Sequence, residues 1–312
     1  MGLEHGENRG RTVVPSSLAR VVAVINPRSG SGLDSRAAVT RTSLVRDVLA
    51  RRGLDGAIHV TERGGHAREL AAAAVSSGAD LVVVWGGDGT VNEVGSALVG
   101  SSTALGLVPA GSGNGLAASL CVPHEPVAAL DRIFSTPPRA VDVGFLADRP
   151  FFNVAGIGLD AHIADLFNLR ARGRRGKWPY VMIGVREGCR YKAQEYDVEL
   201  DGVRRRVSAL LIAFANGREY GMGACISPGA ELDDGLLEAT IVEDRSVLAR
   251  FVDARHLALK SIARAPRVAV SQIRSATVTS EGRLQYHLDG EPGSASGSVA
   301  IRIQPGALQV RA

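Results

Sequence analysis

Three glycine-rich loops contain residues whose types and spacing suit the binding of a phosphate group. They are Asn26-Pro-Arg-Ser-Gly-Ser-Gly32, Gly86-Gly-Asp-Gly-Thr90 and Pro109-Ala-Gly-Ser-Gly-Asn-Gly115. Glycine lets backbone N–H groups approach an anion closely, and a helix N-terminus that follows adds a partial positive charge. Asp88 lies inside the second loop, where a carboxylate beside phosphates indicates a magnesium-linked role. Each loop alone could be a simple turn before a helix, but the three together favour a phosphate site.

Two acidic motifs in the second half of the chain could add further carboxylates. Asp289-Gly-Glu291 places two acids at positions i and i+2, on the same face if the strand is regular. Asp-Gly is also a strong hairpin signal, so a surface turn is the alternative. Leu232-Asp-Asp-Gly-Leu236 leaves a similar choice open, between a metal site and a turn between strands. His287, two residues before Asp289, is expected to be an ordinary strand position.

The common nucleotide and metal motifs do not occur in the sequence. The only Gly-Lys pair, Gly176-Lys177, is followed by Trp, so there is no G-x-x-x-x-G-K-[ST] loop, and no G-x-G-x-x-G opens a strand-turn-helix unit. Cys121, Cys189 and Cys225 are far apart, and the histidines lack metal-ligand spacing. This pattern indicates reduced thiols and no zinc site. The loops therefore predict a phosphate site of another kind.

The elements that must position these loops alternate between strand and helix in the first half of the chain. Apolar, β-branched runs predict strands at residues 21–25, 57–60, 81–85 and 104–108. Helical stretches lie between them, and this alternation is typical of a doubly wound parallel sheet. Because each loop follows a strand, all three should lie at the carboxyl edge of the sheet, where ligands bind in such folds.

The second half is predicted to be rich in strands, after a break at Ser135-Thr-Pro-Pro138. Helical regions at 159–169 with 178–190 and at 248–262 interrupt a strand series that favours an antiparallel β-sandwich. The predicted strands are 140–143, 151–154, 196–200, 207–214, 236–242, 276–280, 284–288 and 299–303. We expect a flexible leader at 1–19, an α/β domain at 20–139 and a β-sandwich domain at 140–298. A C-terminal strand at 299–312 follows, and the sequence leaves open whether it returns to the first domain.

The composition excludes several classes of protein. The chain has 312 residues, 45% of them hydrophobic, and a formal net charge of +4, which is globular and mildly basic. Aromatic residues make up only 4%, which argues against a stacking surface for nucleic acid. No apolar stretch approaches the ~20 residues of a membrane span, and the polar N-terminus lacks the apolar core of a signal peptide. We therefore expect a cytoplasmic protein.

The order of the motifs resembles the diacylglycerol kinase catalytic-domain family, which includes bacterial soluble lipid kinases and the sphingosine and ceramide kinases. The matching segments are Asn26-Pro-x-Ser-Gly30, Gly86-Gly-Asp-Gly-Thr-Val-Asn-Glu93, Pro109-Ala-Gly-Ser-Gly-Asn114, Val141-Asp-Val-Gly144, Asn153-Val-Ala-Gly156, Leu232-Asp-Asp-Gly-Leu236 and Asp289-Gly-Glu291. The resemblance implies a Rossmann-like first domain of the NAD kinase and diacylglycerol kinase type, followed by an antiparallel β-sandwich domain. It also implies transfer of the γ-phosphate of ATP to a lipid hydroxyl, with Mg²⁺.

The resemblance further implies roles for individual residues. Asp289 matches the general base that takes the proton of the lipid hydroxyl. Glu291 matches its acidic neighbour in a magnesium network, to which Asp88 and Asp142 would also belong. Asp234, with the carbonyls of Glu231 and Leu236, matches a structural magnesium site of bacterial members. The positions that match ATP contacts are Asn26, Pro27, Arg28, Ser29, Gly30, Thr61, Gly87, Asp88, Gly89, Thr90, Val91, Asn92, Glu93 and Ser112.

One departure from the family pattern concerns the third loop. Bacterial diacylglycerol kinases commonly have Asn-Asp where this chain has Asn114-Gly115, so one carboxylate of the network is missing. The Gly-Ser-Gly-Asn-x-Leu-Ala pattern of residues 111–117 looks more like that of the sphingosine and ceramide kinases. The acceptor is therefore open between a diacylglycerol type and a sphingoid or ceramide type.

A segment of mixed basic and apolar residues, from Arg170 to Lys192, suits contact with anionic lipids. A helix packed on its own domain with a solvated basic face is the alternative. We expect transient association with a membrane that carries the lipid substrate, and no nucleic-acid partner; a homodimer is compatible with the sequence. Two rival functions stay open. One is a NAD kinase-like enzyme for a soluble acceptor, and the other is a nucleotide-binding regulatory protein without turnover.

Overall fold

A parallel sheet occupies the first half of the chain, with its strands in the order Gly56–Val60, Val21–Ile25, Leu81–Gly86 and Ala104–Pro109. The computed structural model describes residues 18–30, 36–170, 184, 186–188, 190–219, 225–246, 249–250, 256, 259 and 261–312. The strands are β1 (Val21–Ile25), β2 (Gly56–Val60), β3 (Leu81–Gly86) and β4 (Ala104–Pro109). The helices are α1 (Ala37–Arg51), α2 (His66–Ser76), α3 (Asp88–Leu98), α4 (Gly115–Ser119) and α5 (Pro126–Ser135). Every residue of β1, β3 and β4 is buried, as expected of central parallel strands.

Antiparallel pairing dominates the second half. The strands are β5 (Arg139–Leu146), β6 (Arg149–Phe151), β7 (Val154–Gly158), β8 (Gln194–Leu200), β9 (Val203–Ala215), β10 (Leu237–Glu243), β11 (Val268–Ile273), β12 (Ser275–Leu288) and β13 (Glu291–Arg311). Helix α6 (Leu159–Arg170) follows β7, and a 3₁₀ turn (Ile262–Arg264) precedes β11. Strand β12 pairs with β7, β8 and β13, and β9 pairs with β7, β8 and β10. The β12–β13 hairpin therefore lies at the centre of this half.

The long strand β13 connects the two halves. Its first part pairs with β12, its later part pairs with β5, and its last residues, 309–311, run parallel to residues 104–106 of β4. Leu308 and Val310 are fully buried in the core of the first half, whereas Val299 and Ile301 lie in the core of the second. One strand therefore contributes side chains to both hydrophobic cores.

The observed elements differ from the expected ones at several places. The strand expected at 151–154 is two strands, because the N–H groups of Phe152 and Asn153 bond to a side chain instead of a neighbouring strand. The strands expected at 276–280 and 284–288 are one strand with an irregular register, and β11 was not predicted. The expected leader and the helical regions at 178–190 and 248–262 lie largely outside the described residues.

Candidate active site

The three glycine-rich loops meet beyond the carboxyl ends of β1, β3 and β4, where backbone packs against backbone. A Cβ atom on Gly111 would lie 2.7 Å from the Cα of Gly87, so the second and third loops approach each other only as glycines. A Cβ on Gly30, whose φ is +103°, would lie 3.2 Å from the carbonyl oxygen of Ala110. Loops so close to one another can turn several backbone N–H groups toward one anion.

Asn26 links the first loop to the second. Its Nδ2 donates to Thr90 Oγ1 at 2.8 Å, and its Oδ1 accepts the N–H of Arg28 at 2.9 Å in an Asx turn. Thr90 is buried against Gly86, where a Cβ would lie 2.6 Å from the Thr90 Cβ. Residues that the sequence placed in two separate motifs are therefore in direct contact.

Arg41 of α1 holds the first loop in place, and the sequence analysis did not identify it. Its Nη1 donates to the carbonyl oxygen of Asn26 at 2.5 Å and to Ser29 Oγ at 2.8 Å, while Nη2 donates to the carbonyl oxygen of Ser29 at 2.7 Å. The guanidinium lies 5.6 Å from the centroid of the Trp85 ring, and burial lowers the pKa of Arg41. Several arginines lie on α1, so nothing in the sequence distinguishes this one.

The carboxylate of Asp88 anchors the third loop. Its Oδ2 accepts the N–H of Asn114 and its Oδ1 the N–H of Gly115, both at 2.8 Å. Asn114 closes the loop with two side-chain hydrogen bonds to the backbone of Gly111, and its φ is +55°. Burial raises the pKa of Asp88, the two N–H donors lower it, and the negative charge of Asp289 raises it further. Asp88 and Asp289 therefore face one site.

Asp289 lies in the turn between β12 and β13 and contacts the first half of the chain. Its Oδ2 accepts a hydrogen bond from Asn92 Nδ2 of α3 at 3.0 Å and one from the N–H of Phe152 at 2.9 Å. Its Oδ1 accepts the N–H groups of Asn153 and Val154 at 2.9 and 3.1 Å. These donors fix both the position and the direction of the carboxylate.

The Asp289-Gly290 pair forms a turn, the alternative that the sequence had left open beside a regular strand. Asp289 and Gly290 have φ values of +50° and +87°, and Leu288 pairs with Glu291 across them, which is a two-residue hairpin turn. A shared face for Asp289 and Glu291 depended on a regular strand, which the chain does not form at this position. Glu291 instead reaches α3, where a Cβ on Gly89 would lie 2.8 Å from its Oε1.

The remaining positions matched to ATP contacts differ in their surroundings. Asn92 donates to Asp289, and Glu93 accepts the N–H groups of Gly65 and Ala67 at the start of α2, at 2.9 and 3.1 Å. These two side chains therefore hold other parts of the protein. Ser29 and Thr61 are buried, Arg28 and Ser112 are exposed, and Pro27, Gly30, Gly87, Gly89 and Val91 are half-buried. The exposed and half-buried positions are those that a ligand could reach directly.

The acidic residues outside the loops lie in a different environment. Asp142 is buried, and its two oxygens accept the N–H groups of Gly235 and Gly306, both at 2.7 Å. These bonds fasten the loop before β10 to β13 and do not join Asp142 to Asp88 or Asp289. In the same loop, Asp234 Oδ1 accepts the N–H of Leu236 at 2.9 Å, and exposed Glu231 lies 4.0 Å from Arg218.

Oxygen donors near Asp289 suit a divalent cation that is shared with phosphates. The negative charges of Asp88 and Asp289 repel each other. Within the described part of the chain, neither carboxylate forms an ion pair with Arg or Lys. The described residues contain no group of three His, Cys, Asp or Glu side chains arranged around one metal position. Mg²⁺ commonly uses one or two carboxylates together with waters and substrate phosphates. Asp88 and Glu291 fit such a set.

The side chain of Asn153 occupies the space beside Gly115. A Cβ on Gly115 would collide with Asn153 Nδ2, which donates to the carbonyl oxygen of Glu219. Asn153 Oδ1 accepts a hydrogen bond from Ser119 at 3.0 Å, and it would collide with a Cβ on Gly217. The side chain of Asn153 therefore leaves no room for an aspartate at position 115.

The predicted membrane segment from Arg170 to Lys192 lies mostly outside the described residues. Among the helices of the described residues, none has both the length and the apolar character needed to cross a membrane.

Two family models together match most of the chain. Residues 20–146 match the diacylglycerol kinase catalytic domain, and residues 153–312 match the YegS C-terminal NAD kinase beta sandwich-like domain. The chain is 34% identical over 295 residues to "Probable lipid kinase YegS-like" of Chromohalobacter salexigens, which covers 91% of this chain and 90% of that protein. It is 35% identical over 236 residues to a diacylglycerol kinase of Mycobacterium tuberculosis, which covers 73% of this chain and 75% of that protein.

A solved structure shares the fold. The crystal structure of a diacylglycerol kinase from Bacillus anthracis superimposes with a TM-score of 0.71 over 95% of this chain and 97% of that one, at 19% sequence identity. An α/β domain followed by an antiparallel β-sandwich domain is thus confirmed as the fold class. The chain belongs to the lipid kinases that share the diacylglycerol kinase catalytic domain, phosphotransferases with an alcohol group as acceptor and ATP as the phosphate donor.

Proposed function

We propose that the protein transfers the γ-phosphate of ATP to the hydroxyl of a diacylglycerol-type or sphingoid-type lipid, with Asp289 as the general base. The observation that carries this proposal is the position of Asp289. Its carboxylate is held beside Asp88 and α3, the helix that begins in the Gly86–Thr90 loop. A base at this place adjoins the loops that suit the phosphates of ATP.

The reaction requires little covalent chemistry from the protein, because phosphoryl transfer depends mainly on positioning and charge neutralisation. The lipid oxygen forms a bond to the γ-phosphorus, the bond from that phosphorus to the ADP oxygen breaks, and Asp289 takes the hydroxyl proton. The loop backbones and the N-terminus of α3 support the phosphates. Asp88 keeps the third loop in place through Asn114 and Gly115.

The hydrogen bonds of Asp289 indicate from which side a substrate can approach the carboxylate. A carboxylate has about four lone-pair sites, and four donors already approach Asp289. Three of those donors are backbone N–H groups, which the fold fixes. The fourth is the amide of Asn92, a side chain that can rotate. We infer that the lipid hydroxyl approaches Asp289 on the side of Asn92.

Magnesium is part of the proposal. When bound, it would neutralise charge on the phosphates of ATP. Asp88 and Glu291 would hold it, since both carry hard oxygen donors near Asp289. Among the described residues, neither Asp88 nor Asp289 has an Arg or Lys partner that would neutralise its charge. The metal site proposed at Glu231, Asp234 and Leu236 would serve the structure of its loop and not the reaction.

The lipid would be presented at a membrane surface, with transient contact through the basic segment from Arg170 to Lys192. The "Diacylglycerol kinase" among the relatives supports diacylglycerol as the first acceptor to test. Gly115, which stands where bacterial diacylglycerol kinases commonly have Asp, supports testing sphingosine and ceramide as acceptors as well.

The experiment that tests the proposal incubates purified protein with labelled ATP, Mg²⁺ and mixed micelles that contain diacylglycerol, sphingosine, ceramide or monoacylglycerol. NAD serves as the soluble acceptor, and Asp289→Ala is assayed in parallel. We expect label in one lipid class and a loss of about 100-fold or more in the variant. Label in NAD alone, or ATP binding without transfer to any acceptor, would contradict the proposal.

A further inference from the structure

A buried histidine–aspartate pair lies directly behind the Asp289 turn. The side chains of His287 and Asp160 are 5% and 8% exposed, and His287 Nε2 lies 3.3 Å from Asp160 Oδ2. On the other side of the ring, His287 Nδ1 accepts the N–H of Gly290 at 3.2 Å. The imidazole therefore links Asp160, in the first turn of α6, to the peptide between Asp289 and Gly290.

These contacts define one tautomer of the ring. The Gly290 N–H can only donate, so Nδ1 must present its lone pair to it. The hydrogen of the neutral ring then lies on Nε2, which donates to the Asp160 carboxylate. Asp160 also accepts the N–H of Ala161 at 2.8 Å, which orients the carboxylate at the start of α6.

Strand β7 leaves room for this pair at one position. Gly156 lies opposite His287 in the β7–β12 ladder. A Cβ on Gly156 would lie 2.7 Å from His287 Nε2 and would collide with Asp160 Oδ2. Only glycine at this position lets Asp160 reach across the strand to the ring.

The turn itself explains why the pair matters. Both of its central residues have positive φ, the conformation that an Asp-Gly pair adopts in a two-residue hairpin turn. Leu288 and Glu291 form the ladder pair, so the Gly290 N–H lies outside it and meets the ring. Rotation of the 289–290 peptide would break that bond and would turn the Asp289 carboxylate away from its donors.

We propose that His287 and Asp160 are positioning residues for Asp289, which fix the 289–290 peptide and thereby the direction of the carboxylate. This proposal rests on the proposed function, in which Asp289 is the general base. Neither residue contacts the substrate; both act through the backbone of the turn.

Four variants test the proposal. His287→Leu removes the ring contacts with Gly290 and Asp160, His287→Asn keeps an acceptor near the Nδ1 position, and Asp160→Asn removes the negative charge next to Nε2. His162→Asn is the matched control, because His162 of α6 makes a similar contact, 3.3 Å to Glu187, that does not involve the turn. A loss of fold is monitored for each variant by its unfolding midpoint.

We expect His287→Leu to lower kcat by about 10- to 100-fold, as misplaced catalytic groups and lost supporting contacts do. The KM for ATP should change by less than about twofold, since the nucleotide loops are untouched. His287→Asn should restore much of kcat, and His162→Asn should resemble the wild type. A folded His287→Leu protein with unchanged kcat, or one in which KM alone rises, would overturn the proposal.

Ring ¹⁵N resonances give a second measurement that does not depend on activity. The His287 signal, identified by its absence in His287→Asn, should show a hydrogen on Nε2 and a lone pair on Nδ1, and Asp160→Asn should shift it. The opposite tautomer would overturn the proposal. If Asp289→Ala retained full lipid kinase activity, the general-base role of Asp289 in the proposed function would fail instead, while the ring measurement would still test the contacts of His287.

Discussion

At the scale of single residues, many polar side chains of the site bond to other parts of the protein and do not face open space. Asp289 is enclosed by donors, Asp88 is bonded to the third loop, and Glu93 is bonded to the start of α2. The positions open to a ligand are mainly loop backbone and short side chains such as Ser112. This division predicts that substitutions of the enclosed residues change kcat more than the KM for ATP.

Asn92 shows the difference between a residue that contacts ATP and one that holds the site. Its match in the family implies contact with ATP, whereas its side chain donates to Asp289 Oδ2 and to the carbonyl oxygen of Pro150. We expect Asn92→Ala to lower kcat about tenfold, the value of one hydrogen bond to a charged group, with little change in the KM for ATP. Steady-state kinetics with varied ATP measure both. Ser96→Ala, which removes a weaker bond to Asn92 Oδ1, is the control on the same helix. A higher KM with unchanged kcat would mean that Asn92 serves the nucleotide.

Gly115 gives a second prediction at this scale. An aspartate at this position would collide with the side chain of Asn153, so Gly115→Asp should lower the free energy of unfolding by about 1–3 kcal/mol. Asn153→Gly in the same chain opens that space, and the double variant should lose less stability than the sum of the two single variants. Urea denaturation measures all four proteins. A Gly115→Asp variant as stable as the wild type would show that the loop moves freely.

Some residues of the site could be predicted from the sequence and others could not. The loops and Asp289-Gly290-Glu291 were identifiable because the residues of each motif are neighbours in the chain. Arg41 and Asp160 gave no signal, because their contacts join residues 12 and 127 positions apart. The Asp-Gly pair was read as either a turn or a site, and the structure makes it a turn that carries the candidate base.

At the scale of elements, α1 and α3 hold different loops of the site. Helix α3 begins in the second loop and reaches the Asp289 turn through Asn92. Helix α1 holds the first loop through Arg41, whose fork contacts two carbonyl oxygens and a hydroxyl. The first loop therefore depends on a helix that follows it in the chain.

Arg41→Lys tests this dependence, because an ammonium group keeps the charge but cannot match the planar fork. We expect the KM for ATP to rise about fivefold to tenfold, as loss of about 1–1.5 kcal/mol of ordering in the first loop implies. The control is Arg46→Lys, since Arg46 is exposed on the same helix. Equal KM values for the two variants would show that the first loop is ordered without Arg41.

The boundaries of the elements were predictable where a single period or a glycine-rich loop marked them, as for β1 and β3. They were not predictable near Phe152, where two N–H groups leave the strand ladder for Asp289, 137 and 136 positions away. Strand β11 has half-buried residues without a clear alternation, so its sequence gives a weak strand signal.

At the scale of the whole molecule, β13 and Asp142 join the two halves. Residues 309–311 pair with β4, and Leu308 and Val310 enter the first core. Asp142 bonds to the N–H of Gly306 within β13 and to that of Gly235 in the loop before β10. The turn that carries Asp289 is the start of this same strand, so the position of the base depends on how both halves are held.

Asp142→Ala separates a role in holding the halves from a role in magnesium binding. The N–H groups of Gly235 and Gly306 would lose their charged acceptor, so we expect a loss of about 2–4 kcal/mol in the free energy of unfolding. The Mg²⁺ concentration that gives half-maximal activity should not change, because the bonds of Asp142 do not connect it to Asp88 or Asp289. Asp142→Asn, which keeps one acceptor, should lose less. A raised Mg²⁺ requirement with unchanged stability would favour the role implied by the family.

A single-turnover assay of phosphoryl transfer with Asp289→Asn and wild type tests whether Asp289 takes the proton of the lipid hydroxyl. Binding of ATP and the unfolding midpoint are measured on the same samples, so that a misfolded variant is recognised. We expect the folded variant to bind ATP with nearly unchanged affinity and to transfer phosphate about 100- to 10,000-fold more slowly. A variant that binds ATP and transfers phosphate within about tenfold of the wild-type rate would contradict this role of Asp289.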